Sequence, residues 1–373
     1  MSKQRSSKHQ AGSGSGGSRR AFLATGVVAG AAVVGMPYVA RAQDPITFRF
    51  QSTWPAKDIF HEYAQDYVTR VNTMSGGRLK IKVYAAGELI PAFGGFDAVQ
   101  QGSVEMNHGV AYYWSGRRPA LEYFGTVPFG MSFQGQNAWY YHGGGLELWN
   151  QILGDFGMVG MPCGNTGVQM TGWFKNPIKS VGDLNGLKMR IPGLGGKIYA
   201  TLGVKVVLLP GGEIFPALER GVIDAAEWVG PFQDRRLGLH KAAKNYYTTG
   251  WHEPSTTSDL IINKKAWGGL PKDIQAIIQA AARDANITSH TWAEANNGAA
   301  LEDLVKNQGV KAQPLPNDVV KALHVKAKEF LAAEAAKDPI TKKVYDSYFA
   351  FKAKHDQWND RSEVVFNTQV RNA

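Results

Sequence analysis

Among 373 residues there is one cysteine, Cys163. An intramolecular disulfide is therefore excluded, and a chain of this length needs none to hold its cores. Cys163 lies in Gly160-Met161-Pro162-Cys163-Gly164 with no cysteine or histidine beside it. A small buried apolar side chain explains it better than a nucleophile or a metal ligand. Catalytic signatures are missing as well. There is no Gly-x-Ser-x-Gly elbow, no His-Glu-x-x-His and no Cys-x-x-Cys, which removes common routes to a nucleophilic or zinc hydrolase. No repeat recurs at a fixed period. The apolar run from Ala24 to Met36 is diluted by glycine and falls short of the ~20 residues that span a bilayer.

That run belongs to a leader. Ser18-Arg19-Arg20-Ala21-Phe22-Leu23 carries a twin-arginine pattern, and Ala40-Arg41-Ala42 is a small-x-small cleavage signal. Residues 1–42 are expected to be a twin-arginine export signal, with Gln43 opening the mature chain in the periplasm. Six of the 41 basic residues lie in that stretch (Lys3, Arg5, Lys8, Arg19, Arg20, Arg41) and no acidic one does, leaving 35 against 31 acids, a net +4. Such a chain lacks the clustered basic surface that nucleic acid requires.

What remains alternates between strand and helix patterns. Ile46 to Gln51 and Leu79 to Tyr84 read as strands, with a helix over Asp58–Met74 whose Phe60, Tyr63, Ala64, Tyr67 and Val71 share one face. A helix over Phe96–Gly102 and a strand over Glu105–Val110 follow. A second set of units starts near Val168, with strands over Gln169–Phe174 and Leu187–Ile191 and a helix over Gly193–Leu202. Next come a short buried strand over Val204–Leu208, a helix over Ile214–Arg220 and a strand over Val222–Trp228. One more strand, Asp259–Asn263, precedes a helical stretch from Pro271 to the end.

This order predicts an α/β protein of two lobes joined by strands that cross between them, with a ligand cleft between the lobes and long C-terminal helices. The expected division is 43–166 plus about 258–295 for the first lobe, about 167–257 plus about 296–337 for the second, and 338–373 for a terminal helix. Ile340, Val344, Tyr348, Phe351, His355 and Trp358 recur there at spacings of three and four, a narrow seam that packs on its own body or on a second copy.

Few residues stand where chemistry is expected. Arg190 ends an apolar strand before Pro192-Gly193. Its guanidinium suits a bidentate carboxylate, and a structural ion pair is the competing explanation. Gly193-Leu194-Gly195-Gly196 resembles part of a dinucleotide loop but lacks the third glycine, so a tight turn opening a helix fits it better. Glu227 ends an apolar strand, and Glu253 lies in Gly250-Trp251-His252-Glu253-Pro254. Carboxylates among tryptophan and glycine call for a cation or a donor close by. Tyr112-Tyr113-Trp114 follows a strand, a loop position suited to a pocket wall.

Leu187-Lys188-Met189-Arg190-Ile191-Pro192, following Ser180-Val181-Gly182-Asp183-Leu184, and Ile223-Asp224-Ala225-Ala226-Glu227 resemble the substrate-binding proteins of TRAP (tripartite ATP-independent periplasmic) transporters. The resemblance runs from Phe48 to the terminal helices and implies a periplasmic-binding-protein-like fold serving a membrane permease, with no catalysis. Pro192–Gly196, Pro210-Gly211-Gly212-Glu213-Ile214-Phe215, Glu227-Trp228-Val229-Gly230-Pro231 and Gly250–Pro254 resemble the branch that binds 2-oxo or 2-hydroxy monocarboxylates with a metal cation. That branch implies Arg190 on the ligand carboxylate. It implies Gln169, Glu227, the Trp228 carbonyl and Glu253 around Na⁺ or Ca²⁺, with Gln169, Trp228 and Glu253 also facing the ligand. Tyr112, Tyr113 and Trp173 are expected to wall the ligand's side-chain end, with Gln51 and Trp54 as further candidates. A homodimer through the C-terminal helix is implied too. An exported enzyme acting on a small organic acid, or a receptor feeding a sensor kinase, are the competing functions.

Overall fold

Alternating residues become two sheets. The computed structural model describes residues 44–371, so the expected leader and its twin arginines lie outside the described residues. The first sheet takes β1 (Ile46–Ser52), β2 (Leu79–Tyr84), β3 (Met106–Gly109) and β4 (Met158–Asn165). The second takes β5 (Gly172–Phe174), β6 (Lys188–Arg190), β7 (Lys205–Val207), β8 (Ala225–Ala226) and β9 (Asn245–Tyr247). The chain then returns to the first sheet as β10 (Thr257–Asn263) and to the second as β11 (Lys311–Gln313). The orders are β2-β1-β3-β10-β4 and β11-β9-β5-β8-β6-β7. In the first sheet β1 is parallel to β2 and β3, and β10 runs antiparallel between β3 and β4. In the second, β6 lies parallel between β7 and β8.

Each sheet is one lobe of a two-lobed α/β fold. The helix Ile59–Met74 covers β1 with Ala64, Tyr67, Val68 and Val71, and Asp58 caps it by accepting from the Phe60 N–H at 2.8 Å. A 37-residue helix, Lys272–Gln308, gives Ile274, Ile278 and Ala282 to the core of the first lobe. Further along it gives Leu304 to the cluster around Trp173 and Trp228. It is thus a continuous spine of ~55 Å at 1.5 Å per residue. The lobe boundary expected near residue 295 falls inside this one helix.

Four sequence expectations change, one of them where β11 (Lys311–Gln313) interrupts the helical stretch expected from Pro271 onward. Residues 204–208 do not form a buried strand, because β7 is the edge of its sheet and Val206, Val207 and Leu208 are exposed. The strand expected over Val222–Trp228 shrinks to Ala225–Ala226. The Val222 N–H still bonds the preceding helix at Ala217 O (3.0 Å), while the Val229 and Gly230 N–H groups turn to Asp234. The strand expected over 169–174 begins only at Gly172, since the Gln169 N–H bonds Glu253 O at 3.0 Å and the Met170 N–H bonds Val229 O at 2.8 Å. Cys163 is buried and unpaired inside β4. The terminal seam packs first on its own body: Val344 and Tyr348 are fully buried, and the Tyr348 hydroxyl accepts from the Met131 N–H at 2.8 Å.

Candidate functional site

The parallel strands β6 and β8 place Arg190 and Glu227 at neighbouring carboxyl ends, since Arg190 pairs with Ala226. Arg190 is 1 % exposed. Its Nη1 donates to the Glu227 carbonyl at 2.8 Å and to Glu227 Oε2 at 3.1 Å, and its Nε to Leu209 O at 3.1 Å. The guanidinium carbon stands 5.2 Å from the Trp228 ring centre. Nη2 has no hydrogen-bond partner.

Two segments that cross between the lobes run side by side behind this pair. The Thr166 N–H bonds Thr256 O and the Gln169 N–H bonds Glu253 O, each at 3.0 Å. The register fixes Gln169 and Glu253 together. Gly250 makes it possible, because a Cβ there would lie 2.2 Å from the Gln169 carbonyl oxygen. Gln169 Nε2 donates to the Thr166 hydroxyl at 3.2 Å, and its Oε1, buried, accepts nothing. Glu253 accepts from the Thr256 hydroxyl.

Glu227, His252 and Glu253 are all buried, and one ligand atom from each lies within 4.8 Å of the others. Glu227 Oε1 and both His252 ring nitrogens are without partners, with His252 Nε2 3.8 Å from Glu227 Oε1. Buried acceptors left open in one place suit a cation. Burial drives both carboxyls up to about 8, with Arg190 pulling Glu227 back down and Glu227 pushing Glu253 further up. Burial also lowers His252 to about 4, so its imidazole is neutral. His252 was missed in the sequence because a lone histidine among aromatics carries no spacing signal; only its place directly before Glu253 pointed to it.

The first lobe closes the site with aromatic rings. Tyr112 and Tyr113 sit on the short 3-10 helix Ala111–Trp114 after β3, their rings edge to face at 4.7 Å. Tyr113 favours the charge on Arg190, and Tyr112 lies against Gly193 of the second lobe. Trp54 donates to His108 Nδ1 at 2.8 Å and sets its ring edge to face with Trp228 at 6.1 Å. Gln51 Nε2 bonds the carbonyls of Ser52 and Ala85, while its buried Oε1 has no hydrogen-bond partner. One expected residue is engaged elsewhere. Trp173 stacks on Tyr246 at 3.9 Å and donates to Asp234 at 2.9 Å, which spends its polar end inside the second lobe.

Two α/β lobes with charged residues at strand carboxyl ends and paired crossing segments define a hinged ligand-binding protein. Residues 50–338 match the model of the bacterial extracellular solute-binding proteins, family 7, and the chain belongs to that family. It is a solute receptor of the TRAP type. It is 45% identical over 321 residues to the Monocarboxylate 2-oxoacid-binding periplasmic protein of Nostoc sp., covering 86% of this chain and 88% of that one. It is similar to a TRAP solute-binding protein of Pseudoalteromonas atlantica solved with sodium and pyruvate, at 39% identity and TM-score 0.84 over 87% of this chain and 99% of that one. A protein of Colwellia psychrerythraea solved with calcium and pyruvate is 40% identical with TM-score 0.84, over 86% and 98% of the two chains.

Proposed function

We propose that this chain binds a 2-oxo or 2-hydroxy monocarboxylate (pyruvate, a longer 2-oxo acid or lactate) as a complex with Na⁺ or Ca²⁺, and delivers it to a TRAP membrane permease. One observation carries the reading: Glu227 clusters with Glu253 and leaves one buried oxygen unpaired, its other oxygen holds Arg190, whose Nη2 is unpaired too, and Gln169, with an unpaired Oε1, is tied by its N–H to the Glu253 carbonyl. Oxygen donors take hard cations, and a free guanidinium edge takes a carboxylate. Gln169, Glu227, Glu253 and the Trp228 carbonyl would hold the cation. Arg190 would hold the ligand's carboxylate, with Tyr112, Tyr113 and Trp228 around its side chain. A ligand with adjacent carboxylate and 2-oxygen meets both demands at once. The bound pyruvate of the Pseudoalteromonas and Colwellia proteins and the name of the Nostoc relative support this choice.

In this proposal the chain is also a receptor without turnover, exported through the twin-arginine route, and a homodimer through its C-terminal helices. Trp358 is 71% exposed, and Val364, Phe366 and Val370 are exposed beyond it, which supports the dimer. Sedimentation should then give two copies for the wild type and one for Trp358→Glu.

A thermal-shift screen against pyruvate, longer 2-oxo acids, lactate, dicarboxylates, amino acids and sugar acids, with and without chelator, tests the ligand. At 100 times Kd a ligand adds about 2.7 kcal/mol. A shift from 2-oxo or 2-hydroxy monocarboxylates that the chelator abolishes is expected. A shift from dicarboxylates, amino acids or sugar acids alone would sink the chelate site. Turnover of pyruvate or lactate with added acceptors would favour the enzyme instead.

A further inference from the structure

We infer that Asp234 is a positioning residue for the cation: it anchors the loop that carries Glu227 and the Trp228 carbonyl, and with Trp173 and Tyr246 sets how tightly the site takes its ion. The inference rests on the cation-chelate reading and deepens it. Asp234 is fully buried at the start of the helix Pro231–Leu237. One carboxylate oxygen accepts from the N–H groups of Val229 (3.0 Å) and Gly230 (3.2 Å). The other accepts from Trp173 Nε1 (2.9 Å) and the Tyr246 hydroxyl (2.8 Å).

Those four bonds tie a loop to a sheet. Trp173 and Tyr246 are a paired residue couple of β5 and β9, and Trp173 also pairs with Ala226 of β8. The couple is rigid, stacked at 3.9 Å. The loop it holds leaves β8 after Ala226 and delivers Glu227 and Trp228 within the next two residues. The Val229 carbonyl in turn accepts from the Met170 N–H at 2.8 Å, one residue from Gln169. Three of the four proposed cation donors therefore hang on a frame fixed by one carboxylate. A hard ion requires its oxygens at set distances, and side groups that fix first ligands typically change metal affinity by about 10- to 100-fold when removed. The Asp234 charge also acts on Glu227, adding to the field that favours a cation there.

The test is the Ca²⁺ half-saturation point at saturating pyruvate, read by calorimetry well below each protein's melting temperature. Wild type, Asp234→Asn, Tyr246→Phe and Trp173→Phe are compared. Asp234→Asn keeps the shape but turns an amide toward the indole N–H, and it should raise the half-saturation point at least tenfold. Tyr246→Phe and Trp173→Phe each remove one donor and should raise it about threefold, which keeps the idea testable if the asparagine variant does not fold. The pyruvate Kd at saturating Ca²⁺ should move less than threefold. A lowered melting temperature with an unchanged half-saturation point in all folded variants would overturn the proposal and leave the ligand reading intact. A wild type that binds pyruvate with no cation dependence would overturn the ligand reading, and the proposal with it.

Discussion

Arg190 and Glu253 are the residues on which charge and geometry press hardest. Arg190 already spends three hydrogen bonds on Leu209 and Glu227, so only Nη2 is left for a ligand. Lysine carries one point charge and cannot both hold those carbonyls and reach a carboxylate. Arg190→Lys should weaken pyruvate binding by on the order of 100-fold, within the ~2–5 kcal/mol seen for truncated buried charge pairs. Glu253→Gln removes one of two carboxylates facing the cluster, and calorimetry should find the Ca²⁺ dependence of binding lost rather than merely shifted. Retained affinity in both variants would place the ligand elsewhere. The carboxyl-end position of Arg190 was legible from the strand pattern before Pro192-Gly193. A structural ion pair was the competing explanation there, but that Glu227 is its partner was not legible, because the two residues are 37 apart in sequence and meet only through the pairing of β6 and β8.

At the scale of elements, the hinge and the contacts between lobes decide how the site forms. The segments at Thr166–Gln169 and Glu253–Thr256 lie in register only while Gly250 lets the backbones touch. Gly250→Ala should cost about 1–3 kcal/mol of stability through overpacking, lower the melting temperature and weaken cation binding together. A drop in stability with normal cation binding would separate the hinge from the site. Across the cleft, Lys197 of the helix Gly193–Ala200 reaches Glu122 of the short helix Pro119–Phe124 at 2.7 Å. Glu122 is 1 % exposed and has one oxygen without a partner. The half-exposed lysine limits what the pair contributes. Lys197→Met should therefore raise the ligand off-rate only about fivefold, roughly 1 kcal/mol, with little change in on-rate, as stopped-flow tryptophan fluorescence can measure. An unchanged off-rate would mean that the pair plays no part in holding the lobes together.

Six carboxyls are buried among the described residues. Burial lifts Glu227 and Glu253 to about 8, Asp58, Glu122 and Asp259 to about 7, and Asp234 to about 6. An unfolded chain releases those protons near pH ~4. Between about pH 4 and 8 these six groups hold more protons folded than unfolded; the buried neutral His108 and His252, lowered to about 4, oppose them only up to the ordinary histidine range, so stability should fall as pH rises through that window. A bound cation reverses the sign for Glu227 and Glu253, since it replaces their protons. With chelator the melting temperature should decline from pH 5 to 8. With Ca²⁺ and pyruvate the shift they add should grow over the same range. A ligand-induced shift that shrinks as pH rises would exclude cation binding through these carboxylates.

The sequence by itself determined the two-lobed α/β class, because alternating and 3.6-residue periods survive wherever a strand or helix has one buried face. Ile46–Ser52 and Leu79–Tyr84 were legible for that reason. It also marked Arg190, Glu227 and Glu253, since a charge at the end of an apolar run is locally conspicuous and the family pattern repeats there. Only the tertiary structure decided which of these atoms are left unpaired, that His252 joins them, and that Trp173 serves Asp234. It also placed Lys205–Val207 at an exposed edge instead of in the core. Such outcomes follow from strand order and from residues dozens of positions apart meeting in space. Local patterns of polarity do not encode either.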